Sequence, residues 1–173
     1  VLNQSLNSNL TENLKPAMTP HIRTDVQVMF FDTDCGGVVS NIAYLRFIEI
    51  ARTHLAEELG LALANMAEKQ TYPVVVRTEI DYRRPAKLGD RLVIEGWLDH
   101  VERARFWCVF RITRPQDNTV IGGCRQMLAL MEMPSGKLRR LPEHWKAYSK
   151  AESPEYSEGE SRIGTVSGAE SEQ

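Results

Sequence analysis

Residues 30–52 read FFDTDCGGVVSNIAYLRFIEIAR and hold the side chains whose types and spacing could do chemistry. Two carboxylates, Asp32 and Asp34, stand just before the pair Gly36 and Gly37, and a third, Glu49, lies inside the apolar run that follows. Carboxylates between an apolar run and a core helix are candidates for nucleophilic or acid–base chemistry. An Asp ahead of a helix is also a common cap or turn residue, so the residue types alone leave both readings open. Cys35 sits beside Asp34, but a thiol nucleophile needs a positioned histidine and none is near in sequence, so Cys35 is read as a loop or packing residue. Glu49 and Arg52 are one helical turn apart and are read as a buried ion pair, with a place for Glu49 near the site as the alternative.

These residues need elements to position them. RTDVQVMFF, residues 23–31, alternates Val26 and Val28 before an apolar end and predicts a first strand. From Asn41, the residues Tyr44, Leu45, Ile48, Ala51, Leu55 and Leu59 recur at helical spacing, with Gly60 as the stop. Arg46, Thr53, Glu57 and Glu58 form the outward remainder of a mostly buried helix, on whose surface His54 is placed. Four runs rich in β-branched and aromatic residues follow, at 73–82, 91–100, 104–114 and 119–133, with turns at PAKLGD and RPQDN and a bulge or bend at Gly122 and Gly123. One strand, one long helix and four meandering strands imply an α+β fold, an antiparallel sheet of about five strands wrapped around a central helix.

Composition bounds the rest. A chain of 173 residues with 42% hydrophobic and 25% charged residues fits one domain with tails. The expected division is a disordered extension over 1–20, one domain over 21–145 and a disordered acidic tail over 146–173. From residue 151 the chain carries six Glu and one Arg, so the remainder is mildly basic at about +3 against a total of −2. That excludes a nucleic-acid footprint but suits a small phosphorylated ligand. No apolar run is long enough for a membrane span, and residues 1–20 lack the features of a secretory signal, so a cytoplasmic protein is expected. Three cysteines without paired spacing and four scattered histidines give no disulfide framework and no metal site.

DTDCGGVVSNIAYLRFIEIAR, together with VVVRTEIDYRRPAKLGDRLVIEGWL at 74–98, resembles the 4-hydroxybenzoyl-CoA thioesterase family of the hotdog fold. Its small Tol-Pal-associated branch is the most similar. The likeness covers roughly residues 23–133 and neither tail. It implies thioester hydrolysis of an acyl-CoA, with Asp34 as nucleophile or general base and Asp32 ordering the loop. Gly36 and Gly37 allow close backbone approach to the ligand. Many members of that branch carry Tyr-His where this chain has Ser40 and Asn41; Asn41 can donate or cap but cannot act as a base.

Arg83, Arg84 and Lys87 form a basic group that could meet the phosphates of coenzyme A, and Arg103 with Arg105 forms another. No cofactor is expected beyond coenzyme A as part of the substrate. The fold implies a homodimer or homotetramer, and Tyr44 is placed in the core or in the wall of a tunnel. Two other functions fit the same residues, an acyl-carrier-protein thioesterase and a non-catalytic acyl-CoA or lipid-binding protein.

Overall fold

The structure, a computed structural model, describes residues 20–150. The tails expected over 1–20 and 146–173 therefore lie almost wholly outside the described residues. A closing 3-10 helix, Glu143–Lys150, spans the expected 145/146 boundary.

The first described element is β1, His21–Gln27. The chain then crosses to α1, Asn41–Glu58, and to a short α2, Leu63–Lys69. The strands β2 (Thr71–Tyr82), β3 (Arg91–Val101), β4 (Arg105–Arg114), β5 (Thr119–Glu132) and the two-residue β6 (Lys137–Leu138) follow. All pairings are antiparallel, in the order β1-β3-β4-β5-β2, with β6 added to β5. The connection from β1 to β2 must therefore pass from one edge of the sheet to the other. It carries α1 across the concave face, which is the expected α+β layout.

Alternation along the strands explains why the helix is held there. Leu92, Ile94 and Leu98 of β3, Phe106, Cys108, Phe110 and Ile112 of β4, and Cys124, Leu128 and Leu130 of β5 share one face. They form a single buried cluster with Ala43, Tyr44, Phe47, Ile48, Ala51 and Leu55 of α1. Those helical positions step by three and four and so make one stripe. Ser40 caps the helix, its Oγ accepting the Ala43 N–H at 3.3 Å, and Leu59 and Gly60 end it. On the convex face Arg125 lies over the Trp107 ring at 4.2 Å and pairs with Asp99, while Arg111 pairs with Glu95.

Four expectations change. The first strand stops at Gln27, and Phe30–Asp32 turns into a short 3-10 helix that leaves Phe30 80% and Phe31 69% exposed. The apolar run ends in a turn toward the site rather than in strand. Helix α1 is buried along one stripe only: Ile42, Leu45 and Ile50 are exposed. The sheet curls round one side of α1, so its apolar residues exceed what that side can cover. Helix α2 was not foreseen, because its seven residues LANMAEK are too short to show a period. Glu49 does pair with Arg52, but it is exposed rather than buried.

The bend expected near Gly122 is present. Ile121 is an extra residue in β5 against β4, and its C=O accepts the N–H groups of Arg83 and Arg84 at 2.9 and 3.1 Å. A Cβ on Gly122 would stand 2.5 Å from the Asp81 carbonyl oxygen, so only glycine lets β2 and β5 close up there.

Candidate active site

The loop between β1 and α1 is a small hairpin. Thr33 pairs with Val39, the Asp34 N–H bonds to the Val38 C=O at 2.9 Å, and the Gly37 N–H returns to the Asp34 C=O at 3.0 Å. Gly37 has φ of 71°, a left-handed conformation that glycine adopts without strain, which is why the turn ends on it. At the tip Asp34 is exposed. Its Oδ1 accepts the Gly36 N–H at 2.8 Å, and its Oδ2 has no hydrogen bond among the described residues.

Asp32 has a different environment. It is 2% exposed, accepts the Met29 N–H at 2.8 Å and forms an ion pair with Arg46. Its C=O accepts the Ser40 N–H at 2.8 Å, which ties the hairpin to the helix start. The two carboxylates are thus separated in role: Asp32 is spent on holding the loop, and Asp34 faces solvent. Arg46, which the periodicity placed outward, is recruited to Asp32 from one turn inside the helix.

The loop rests on the turn between β2 and β3. The Val39 N–H bonds to the Ala86 C=O at 2.8 Å, and Val38 pairs with Lys87. The Ala86 N–H in turn donates to the Tyr44 hydroxyl at 3.2 Å, so Tyr44 fastens the helix to the same turn. Burial raises the pKa of Tyr44 above its ordinary value, which keeps it a neutral phenol. Arg114 bonds to Asp90 at 2.9 Å and to Asp117, clamping the far side of the turn, and both contacts raise its already high pKa.

A shallow cavity of about 320 Å³ opens where these pieces meet, lined among others by Asn41, Tyr44, Tyr82, Arg83 and Arg84. The structure therefore brings Asn41 together with Arg83 and Arg84. Asp34, Gly36 and Gly37 lie on the adjoining hairpin, whose Val38 and Val39 reach the cavity wall. Lys87 meets the hairpin through its backbone, paired with Val38, and its N–H bonds to Asp90. Arg103 and Arg105 belong to the opposite end of the sheet, where Arg103 C=O accepts the Leu141 N–H. The N–H groups of Asn41 and Ile42 come too early in α1 to have intrahelical partners, and the helix dipole adds positive potential at the same place.

A second cavity, about 350 Å³, lies between the later half of α1, α2 and the start of β2. Arg52 stands at its edge and donates to Gln126 at 2.9 Å, and Gln126 donates to Thr78 at 3.2 Å. That bridge was invisible to spacing, because its members are far apart in sequence. His54 bonds Thr24 of β1 at 2.9 Å from the helix surface. Cys108 and Cys124 are buried, with thiols pushed up to about 12 by desolvation, which leaves neither suited to attack.

Residues 28–148 match the family described as the thioesterase-like superfamily. The chain belongs to it. Within this thioesterase-like group, the acyl-CoA thioesterase YbgC of Haemophilus influenzae is 39% identical over 51% of this chain and 66% of its own length, just under two thirds. The acyl-CoA thioester hydrolase YbgC of Escherichia coli O6:H1 is 30% identical over 72% of this chain and 92% of its own. A crystal structure of a 1,4-dihydroxy-2-naphthoyl-CoA thioesterase from Synechocystis superposes with a TM-score of 0.67 at 24% identity, covering 78% of this chain and 99% of that one. This thioesterase-like chain has the hotdog fold.

Proposed function

We propose that this chain is an acyl-CoA thioesterase, hydrolysing the thioester to a free acid and CoA. The observation that carries this reading is the exposed Asp34 carboxylate, held by a hydrogen-bonded hairpin directly ahead of the N-terminus of α1. The thioester carbonyl sits at the helix start, with its oxygen toward the free N–H groups of Asn41 and Ile42. Either Asp34 removes a proton from the attacking water and the CoA thiolate departs from the tetrahedral intermediate, leaving the free acid, or Asp34 attacks the carbonyl carbon itself, the thiolate departs, and water then hydrolyses the mixed anhydride to the acid and the restored carboxylate. Asn41 contributes a donor and no base. Arg83 and Arg84 meet the phosphates of coenzyme A. Gly36 and Gly37 leave room beside the reacting carbon.

The same basic pair also suits an acidic carrier protein bearing the acyl group. No further cofactor takes part in this scheme, and the expected setting is the cytoplasm. Among the described residues no helix is long and apolar enough to cross a membrane. The working unit is at least a homodimer, for which the open edge of β2 is the pairing surface.

Asp34→Asn tests the assignment with little change in shape. Thiol release from a panel of acyl-CoAs should fall at least about a hundredfold in kcat, with an unchanged melting temperature. Undiminished turnover in the folded variant would move the role to Glu49. Turnover of carrier-bound thioesters alone, with free acyl-CoAs inert, would favour the carrier-protein substrate.

A further inference from the structure

The two cavities lie at the two ends of one interface, that between α1 and β2. Helix α1 and strand β2 run antiparallel, so the first cavity lies between the start of α1 and the end of β2, and the second between the end of α1 and the start of β2. Between them β2 turns Thr78, Ile80 and Tyr82 toward the helix; Thr78 and Tyr82 are exposed, and Ile80 is partly buried against the core. The helix offers a matching stripe at Ile42, Leu45, Glu49, Thr53 and Ala56, whose first two residues are apolar and exposed. The second cavity begins at Glu49, and its floor is Leu55, Leu59, Leu61, Phe106 and Leu128. One polar crossing, the Arg52, Gln126 and Thr78 bridge, spans the interface midway; the alkyl stem of Arg52 can cover a chain while its guanidinium keeps its partners.

We infer that this interface selects substrates with a medium-length aliphatic acyl chain, the end of which occupies the second cavity. The inference rests on the thioesterase reading above. Its argument is one of reach. From Asn41 to Glu49 is eight residues of helix, which rise about 12 Å. An extended hydrocarbon with carbon bonds of about 1.5 Å at tetrahedral angles advances roughly 1.3 Å per carbon, so about nine carbons bring a chain from the helix start to the cavity mouth. A benzoyl ring attached at the same carbonyl covers less than about half of that distance and leaves the apolar floor unused. Burial of each methylene that enters contributes about 0.8 kcal/mol, which converts to roughly fourfold in affinity per carbon.

Two measurements on the full chain test this, one of them independent of turnover. Calorimetric binding to Asp34→Asn should tighten by at least tenfold from butanoyl-CoA to dodecanoyl-CoA, and Ala56→Trp, which fills the cavity from the partly open helix face, should abolish that gain. In chains with Asp34 intact, the ratio of kcat/KM for dodecanoyl-CoA to that for butanoyl-CoA should drop at least tenfold in Ala56→Trp. Met66→Trp, placed on α2 at the opposite wall, should act alike if Ala56→Trp does not fold. A flat binding series, a preference for benzoyl-CoA, or an unchanged ratio in the folded variants overturns the inference while leaving a thioesterase. Chain-length-dependent binding with no hydrolysis of any acyl-CoA upholds the cavity and defeats the enzymatic reading instead.

Discussion

Asp32 and Asp34 are two residues apart, yet the fold gives them opposite surroundings. Asp32 is closed in by Met29 and Arg46 and carries the hairpin; Asp34 is open at its tip. Asp32→Ala leaves the Met29 N–H without its acceptor and Arg46 without its partner. It should lower stability by about 2–3 kcal/mol in a urea titration, and it should reduce thioesterase turnover through the displaced loop. The spacing DTDxGG pointed to a loop ahead of a helix, which is present, and the resemblance is what singles out the second aspartate for the proposed chemistry. What the sequence could not express is that Arg46, on the outward face of its helix, pairs with Asp32, or that Tyr44 holds Ala86. Both contacts depend on where the chain returns, and no local pattern encodes that.

At the level of elements, α1 and the four strands after it were legible because their apolar residues follow periods of 3.6 and 2. Gly60 marked the end of the helix as well. The misread elements share a cause. Residues 28–31 are apolar without forming strand, and α2 is helical without enough length to display a period. The contact between β2 and β5 at Gly122 shows how narrow the tolerance is where the sheet bends. Gly122→Val would press a side chain against the Asp81 carbonyl, and nothing there is a flexible side chain that can yield. A loss of about 1–3 kcal/mol is expected, read from thermal or urea unfolding, together with weaker CoA binding because Arg83 and Arg84 hang from the adjacent Ile121 carbonyl.

For the molecule as a whole, the decisive feature is that β2 is an edge strand. Val74, Val75 and Val76 are exposed along it, and Val76 is an extra residue that twists the edge. Pro73 and the Arg77, Glu79 and Asp81 charges stand at its two ends, and the three valines between them make an apolar stretch on which a second copy can pair. Light scattering at micromolar concentration should give at least twice the chain mass, and Val75→Lys should move the population toward monomer; a monomeric parent chain would remove the edge from the proposal. The strand order has another consequence, one of timing. The partner of β2 is β5, so when β2 leaves the ribosome its neighbour has not been made. The helix and both walls of the interface wait, unpaired on one side, until residue 132 has emerged. During synthesis at about 5–20 residues per second this apolar strand spends several seconds exposed in the nascent chain, which makes it the segment on which chaperone capture should concentrate.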